Sequence, residues 1–177
     1  MSPVLTDPKA LSLRAEFDRS FSQSANEARS DHVDFLTVRI AGDRYALRLW
    51  EIQSLHAERN LVRVPSLLPE LLGFLGFRGV LTPVYDLAQV LGYPGGLAAR
   101  GLFVARSELP IAFAFGEFES HLRVRADRIS QPEPGTRTSV EGLVSDEDGS
   151  RLPLVNLPLL IENIAARIKA LRPSQER

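Results

Sequence analysis

The sequence predicts an all-β protein built from two small, related halves and followed by a C-terminal helix. Short apolar segments separated by Gly, Pro, Asn and Asp recur along most of the chain, a spacing typical of β-barrels and sandwiches. One pattern also occurs twice, and apolar residues near the C-terminus follow helical spacing. With 177 residues, 44% of them hydrophobic and 24% charged, the chain can bury a core of this kind.

Residues 1–33 are predicted to form an N-terminal extension. Most of it is polar, Ser-rich and poor in β-branched residues. Leu13, Phe17 and Phe21 recur every four residues, which is the spacing of an amphipathic helix. A frayed tail is the alternative, and the sequence favours neither.

The first predicted β-hairpin begins at Asp34, where the pattern changes to period two. Its alternating apolar positions are Leu36, Val38 and Ile40 before the turn and Tyr45, Leu47 and Leu49 after it. This alternation predicts half-buried strands. Residues 41–44 place Gly42 at the first central position of a two-residue type II′ turn, where positive φ is required.

Further strands and one helix are predicted downstream. The strands are expected at residues 61–64, 74–77, 80–85, 102–105, 111–115, 122–124 and 152–155. The helix is expected over residues 157–171, where the apolar side chains are Leu157, Leu160, Ile161, Ile164, Ile168 and Leu171. Basic residues near its end complement the helix dipole.

A repeat relates the two halves of the chain at an offset of 70 residues. Residues 79–87 and 149–157 both read Gly-x-x-x-Pro, two apolar residues, Asp or Asn, then Leu. Each copy predicts a Pro-containing strand, a side-chain N-cap at Asp86 or Asn156, and a helix that begins with Leu. The predicted domain spans residues 34–170, with subdomains of about 34–95 and 96–156 before the helix.

The residue types that carry catalytic or metal chemistry form no recognisable pattern. The absence of Cys excludes disulfides, thiolate nucleophiles and Cys-based zinc sites. The three histidines, His32, His56 and His121, stand in unrelated settings, and neither a phosphate-binding loop nor a Gly-x-Ser-x-Gly motif occurs. We therefore predict that the chain is not an enzyme, with no catalytic residue, no cofactor and no metal ligand.

Two groups of carboxylates are interpreted as solvent-facing. Glu117 and Glu119 stand near the predicted end of a strand, and residues 146–148 precede Gly149 between apolar flanks. The second arrangement is typical of a hairpin tip.

Charge and hydropathy predict a cytoplasmic protein without direct membrane insertion. Lys and Arg number 21 against 22 Asp and Glu, so no overall field favours nucleic acid or an anionic membrane. No apolar run approaches the ~18 residues that span a bilayer, and no secretory signal is visible.

Single-stranded nucleic acid binding is the alternative function, because small barrels often bind such strands through aromatic and basic side chains. The basic residues of the second half are Arg100, Arg106, Arg123, Arg125 and Arg128. They are balanced by Glu117, Glu119 and Asp127, and Phe113, Phe115 and Phe118 are expected to fill a core. We therefore expect no nucleic-acid partner.

The order of motifs from Phe35 to Leu87 resembles the CheW-like domain of bacterial chemosensory adaptors. The resemblance is carried by residues 35–38, 45–47, 50–52, 64–65, 72–73, 77–79 and 83–87, and it continues more weakly to Ile164. It implies two intertwined SH3-like five-stranded β-barrels. It also implies a non-catalytic adaptor, clustered at receptor arrays, that couples a chemoreceptor's cytoplasmic helical hairpin to the regulatory domain of a histidine kinase.

The resemblance also implies where partners bind. Two family positions transfer to Glu51 and Arg78, which are expected to pair, and the partner-binding residues are predicted to be Glu51, Phe74, Phe77, Arg78, Gly79 and Val84. Gly76-Phe77 stand where the family usually has Asn-Leu, and Asn156 replaces a frequent Asp.

Overall fold

The computed structural model describes residues 31–57, 60–95, 99–132, 135 and 138–171. The strands are β1 (His32–Ile40), β2 (Asp43–Arg48), β3 (Ile52–Ala57), β4 (Leu71–Phe77), β5 (Val80–Asp86), β6 (Gly101–Ala105), β7 (Ala112–Phe115), β8 (Glu117–Arg125), β9 (Ile129–Ser130), β10 (Val140–Ser145) and β11 (Arg151–Val155). The helices are α1 (Leu87–Val90) and α2 (Leu157–Leu171). The predicted all-β class and the C-terminal helix are confirmed. The helix proposed for the N-terminal extension lies outside the described residues.

The strands form two sheets that exchange strands along the chain. The first sheet has the order β8-β1-β2-β11-β10-β9, and the second has the order β3-β6-β7-β5-β4. Strands β1 and β2 therefore join the sheet that is otherwise built from residues after 116, across the predicted boundary near residue 95. The second sheet has the expected five strands, whereas the short β9 adds a sixth strand to the first.

Strand β1 is buried on both of its faces, so the prediction of a half-buried strand was wrong. Leu36 and Val38 belong to a central core shared by both sheets and α2, whereas Phe35 belongs to a separate core inside the first sheet. Thr37 is buried too, and its hydroxyl accepts a hydrogen bond from the Ser120 backbone N–H at 3.1 Å. The strand lies between two cores, which alternation in one strand cannot reveal.

The first hairpin turn differs by one residue from the sequence prediction. Ile40 pairs with Asp43, so Ala41 and Gly42 form the two-residue loop. Both have positive φ, 55° at Ala41 and 94° at Gly42. This is the signature of a type I′ turn, with Gly42 at the second central position instead of the first.

The repeat corresponds to equivalent structure in the two halves. In each copy a Pro-containing strand pairs in parallel with a strand of the other half, through Val84 beside Ala112 and Leu154 beside Ala46. The following helices are capped alike. The Asp86 carboxylate accepts from the Ala88 N–H at 2.9 Å, and the Asn156 side-chain oxygen accepts from the Leu159 N–H at 3.1 Å.

Two glycines at equivalent bulges allow a neighbouring backbone to approach closely. A Cβ on Gly73 would lie 2.5 Å from the Val62 carbonyl oxygen, and a Cβ on Gly142 would lie 2.7 Å from that of Ser130. Residues 61–64, which were predicted to form a strand, make only a single bridge between Val62 and Phe74, and Leu61 packs against the core of the second sheet. That prediction was wrong, and the apolar side chain of Val62 faces solvent instead.

The close approach predicts a stability effect. Gly73→Ala should lower the free energy of unfolding by about 2 kcal/mol, because φ is 147° and the new methyl group meets backbone atoms that cannot rotate away. Gly76→Ala on the same strand is the matched control, since a Cβ there meets nothing within 4 Å. Urea unfolding measures both variants, and equal losses would contradict the role of the bulge.

Candidate partner-binding surface

The β4–β5 hairpin carries most of the residues predicted to bind partners. Phe77 pairs with Val80, so Arg78 and Gly79 form a two-residue turn with φ values of 49° and 80°. Positive φ is unfavourable for a residue with a Cβ. Arg78 adopts it because a two-residue type I′ turn requires positive φ at both of its central positions. The turn holds the arginine at the tip of the hairpin, where it is exposed.

Apolar side chains beside this turn face solvent. Leu81 is 66% exposed, Val80 is 49% exposed, and Val62, held beside β4 by two backbone hydrogen bonds to Phe74, is 67% exposed. We call Val62, Phe77, Arg78, Val80 and Leu81 the hairpin surface. The strand registers place Val62 and Leu81 on one face of the hairpin and Phe77 and Val80 on the other. Clusters of exposed apolar side chains on a small protein often mark a binding site.

The other predicted site residues support this surface to different degrees. Phe74 and Phe77 are half-buried, whereas Val84 is fully buried in the core of the second sheet and does not line the surface. The Phe77 ring contacts two groups, the Arg78 guanidinium at 5.1 Å and the His56 ring at 5.6 Å, measured from the Phe77 ring centre. These contacts hold the aromatic ring in place beneath the turn.

The pairing expected between Glu51 and Arg78 does not occur. The ion-pair partner of Glu51 is Arg48, at 3.9 Å. Glu51 precedes the start of β3, whereas His56, near the end of β3, is the residue that contacts the hairpin. Five residues of strand span about 17 Å, which separates the carboxylate from the turn.

A second exposed apolar site lies beside Glu51. Trp50 is 54% exposed and Leu49 is 39% exposed, both in the 3₁₀ turn between β2 and β3. The Arg48 guanidinium stands 5.4 Å from the Trp50 ring centre and forms an ion pair with Glu141. We call Arg48, Leu49 and Trp50 the tryptophan surface. Sequence reasoning did not single it out, although Trp50 is the chain's only tryptophan.

The Glu51 carboxyl predicts a pH-dependent stability effect. Burial raises its pKa above the ordinary value of 4.5, and the nearby Arg48 opposes the shift only in part. The folded state favours the protonated form of Glu51. The protonated carboxyl therefore makes its full contribution to the free energy of unfolding below pH 4.5, and this contribution is lost as pH rises through the folded pKa.

Glu51→Gln should therefore raise the free energy of unfolding at pH 7 and change it little at pH 4. Chemical denaturation at both pH values measures the difference. Equal effects at the two pH values would show that the charge on Glu51 carries no cost.

Two of the carboxylates that the sequence predicts to face solvent, Glu119 and Asp146, interact with neighbouring residues. Glu119 forms ion pairs with Arg39 and Arg44, each at 2.7 Å. Asp146 accepts from the Ser150 N–H at 2.8 Å within the turn between β10 and β11, which confirms the predicted hairpin tip. The expectation that these carboxylates face solvent was wrong for Asp146, which is buried, and for Glu119, whose side chain is only 16% exposed. In the described ranges, no group of three or more His, Asp or Glu side chains could hold a metal ion. None of the helices there is long and apolar enough to cross a membrane.

Several of the aromatic and basic side chains that could bind nucleic acid are buried or lie beside carboxylates. Phe113 and Phe115 are buried as expected, whereas Phe118 is 48% exposed, so its placement in the core was wrong. Phe118 stands next to the bulge between β1 and β8. Arg123 and Arg125 have carboxylate neighbours, at 4.0 Å and 3.3 Å, which reduce the positive field.

Comparison with known proteins decides the family. The CheW-like domain model matches residues 34–165. This chain belongs to the CheW-like domain family. A curated relative, the "Chemotaxis protein CheW" of Bacillus subtilis (strain 168), is 26% identical over 120 residues, which cover 64% of this chain and 77% of that protein.

A solved structure shows the same fold. The crystal structure of the scaffolding protein TtCheW from Thermoanaerobacter tengcongensis has a TM-score of 0.67 to this CheW-like chain at 18% sequence identity. The match covers 73% of this chain and 92% of TtCheW. The predicted architecture of two SH3-like β-barrels is therefore confirmed.

Proposed function

We propose that this chain is a non-catalytic cytoplasmic adaptor that joins a chemoreceptor's cytoplasmic helical hairpin to the regulatory domain of a histidine kinase. The observation that carries the proposal is the hairpin surface, which exposes apolar side chains of a CheW-like domain at a fixed turn. The family match and the names of its relatives support a role in chemotaxis. Clustering at receptor arrays follows from the same proposal.

An adaptor needs two surfaces that can be occupied together. The hairpin surface contacts the end of β3 through Phe77 and His56, whereas the tryptophan surface precedes the start of β3, a distance of about 17 Å along the strand. We assign the receptor to the hairpin surface, because an amphipathic helix can pack apolar side chains against Val62 and Leu81, which the strand registers place on one face of the hairpin. The kinase regulatory domain is assigned to the tryptophan surface, where an exposed Trp beside an Arg has the composition of an interface hot spot.

Salt dependence distinguishes this proposal from nucleic-acid binding. The purified chain is titrated with a receptor hairpin peptide and with a single-stranded oligonucleotide at low and high salt. Apolar docking predicts peptide binding that changes little with salt, whereas phosphate contacts make affinity fall steeply through counterion release. Tight, salt-sensitive oligonucleotide binding without peptide binding would contradict the adaptor role.

A further inference from the structure

An apolar groove runs between α2 and the second sheet. Its volume is about 470 Å³. One wall is formed by Pro83 and Tyr85 of β5 with Ile111, and the other by Ile164 and Ile168 of α2. A groove of this shape and polarity can accept the apolar face of a helix.

The wall formed by α2 carries a second apolar stripe beside the one that enters the core. The core stripe is buried, whereas the members of the second stripe are half-buried or exposed. They are spaced three, four and three residues apart, at Pro158, Ile161, Ala165 and Ile168. This is the spacing of a seam between two packed helices. Because Ile161, Ala165 and Ile168 line the groove, the stripe is suited to contact with a further helix.

The charges beside the stripe match those of an antiparallel copy of the same helix. Glu162 and Lys169 are exposed, and each directly follows a member of the stripe, Ile161 or Ile168. They are seven residues apart and therefore lie on the same side of the stripe. In an antiparallel pair of identical helices, Glu162 of each copy lies opposite Lys169 of the other, which gives two ion pairs related by a two-fold axis. In a parallel pair, the two residues lie on opposite sides of the interface.

The same antiparallel register suits the packing of apolar side chains. It places Ala165 of each helix opposite Ile168 of the other, so that a small side chain meets a large one. Leu109, which is 51% exposed at the edge of the groove, then lies beside the second helix and is covered. Arg167, the remaining charged residue of α2, is engaged by Glu70 at 2.5 Å and does not disturb the charge pattern.

We infer that the groove is a self-association site, in which α2 of a second copy packs antiparallel to α2 with reciprocal Glu162–Lys169 ion pairs. The contact is built around one pair of 15-residue helices, so it is smaller than the interfaces of stable complexes. We expect a dissociation constant on the order of 100 µM. The inference does not depend on the adaptor role, because it concerns contacts between copies of this chain alone.

Charge reversal in the full chain tests the inference. Self-association is measured by sedimentation equilibrium over a concentration series that brackets the expected dissociation constant, and circular dichroism checks that each variant is folded. Glu162→Lys and Lys169→Glu should each weaken self-association about tenfold, because each changes two attractions into two repulsions. The double variant Glu162→Lys, Lys169→Glu should restore it, since both ion pairs form again with exchanged charges.

Mixing the two single variants separates pairing between copies from an effect on the fold. One variant carries two positive charges at these positions and the other carries two negative charges, so a mixed dimer forms both ion pairs. Mixed dimers should form about tenfold more tightly than the dimers of either variant alone. Glu147→Lys is the control, because it reverses an exposed charge in the turn between β10 and β11, and it should leave self-association unchanged.

Three results would overturn the inference. The chain could remain monomeric throughout the concentration series. The double variant and the mixture could fail to restore what the single reversals remove, which would show that the two residues do not pair across the interface. Lys169→Glu could weaken binding of the receptor hairpin peptide without changing self-association, which would show that a receptor helix fills the groove instead.

Discussion

Arg167→Ala should lower the free energy of unfolding by about 3 kcal/mol. The Glu70 side chain is only 3% exposed, and its two carboxylate oxygens lie 2.5 Å and 3.3 Å from the Arg167 guanidinium. Removing the arginine leaves a buried carboxylate without its counter-charge, which costs about 3–5 kcal/mol in a fully buried pair. Arg167 is 54% exposed, so water screens the pair and the lower end of this range applies.

The Glu70–Arg167 pair joins the start of β4 to the second half of α2. Lys169→Ala is the matched control, because it removes the same charge from an exposed position of the same helix. Urea unfolding followed by circular dichroism measures both variants. The double variant Glu70→Gln, Arg167→Ala should recover part of the loss, since no unpaired charge remains. Equal, small losses for Arg167→Ala and Lys169→Ala would show that the pair contributes little.

Leu81→Asp should weaken binding of the receptor hairpin by about a hundredfold while leaving the free energy of unfolding nearly unchanged. The side chain is 66% exposed in the free protein, so aspartate costs the fold little. In the complex, the change removes one apolar anchor and places a charge in a desolvated contact, a combined loss of about 3 kcal/mol.

The control for this variant is Leu67→Asp. Leu67 is 83% exposed and lies outside the hairpin surface, so the same substitution there should not change receptor affinity. Isothermal titration calorimetry with the receptor hairpin peptide measures both variants. Equal weakening by the two substitutions would indicate nonspecific hydrophobic attraction and contradict the assignment of this surface.

Features encoded by local chemistry were predictable from the sequence. The two N-caps and the helix from Leu157 to Leu171 follow from residue types at fixed spacing, and the structure confirms each of them. The repeat also predicted two equivalent halves, because the Pro-containing strand and the N-cap of the helix that follows it recur in the same order.

Features that depend on contacts distant in sequence were not predictable. The two faces of β1 are buried by different cores, and the exchange of strands between sheets leaves no periodic signal. The Glu70–Arg167 pair joins residues 97 positions apart. The expected pair of Glu51 with Arg78 failed for the same reason, since a short motif does not fix the distance between two strands.

The central claim is that two partners occupy separate surfaces of this chain at the same time, and ternary-complex formation tests it most directly. A labelled receptor hairpin peptide and a differently labelled kinase regulatory domain are mixed with and without the chain and followed by analytical ultracentrifugation. We expect both labels to co-sediment only when the chain is present. Leu81→Asp should release only the receptor label, and Trp50→Ala only the kinase label. If the two partners compete for the chain, so that adding one displaces the other, the adaptor account is contradicted.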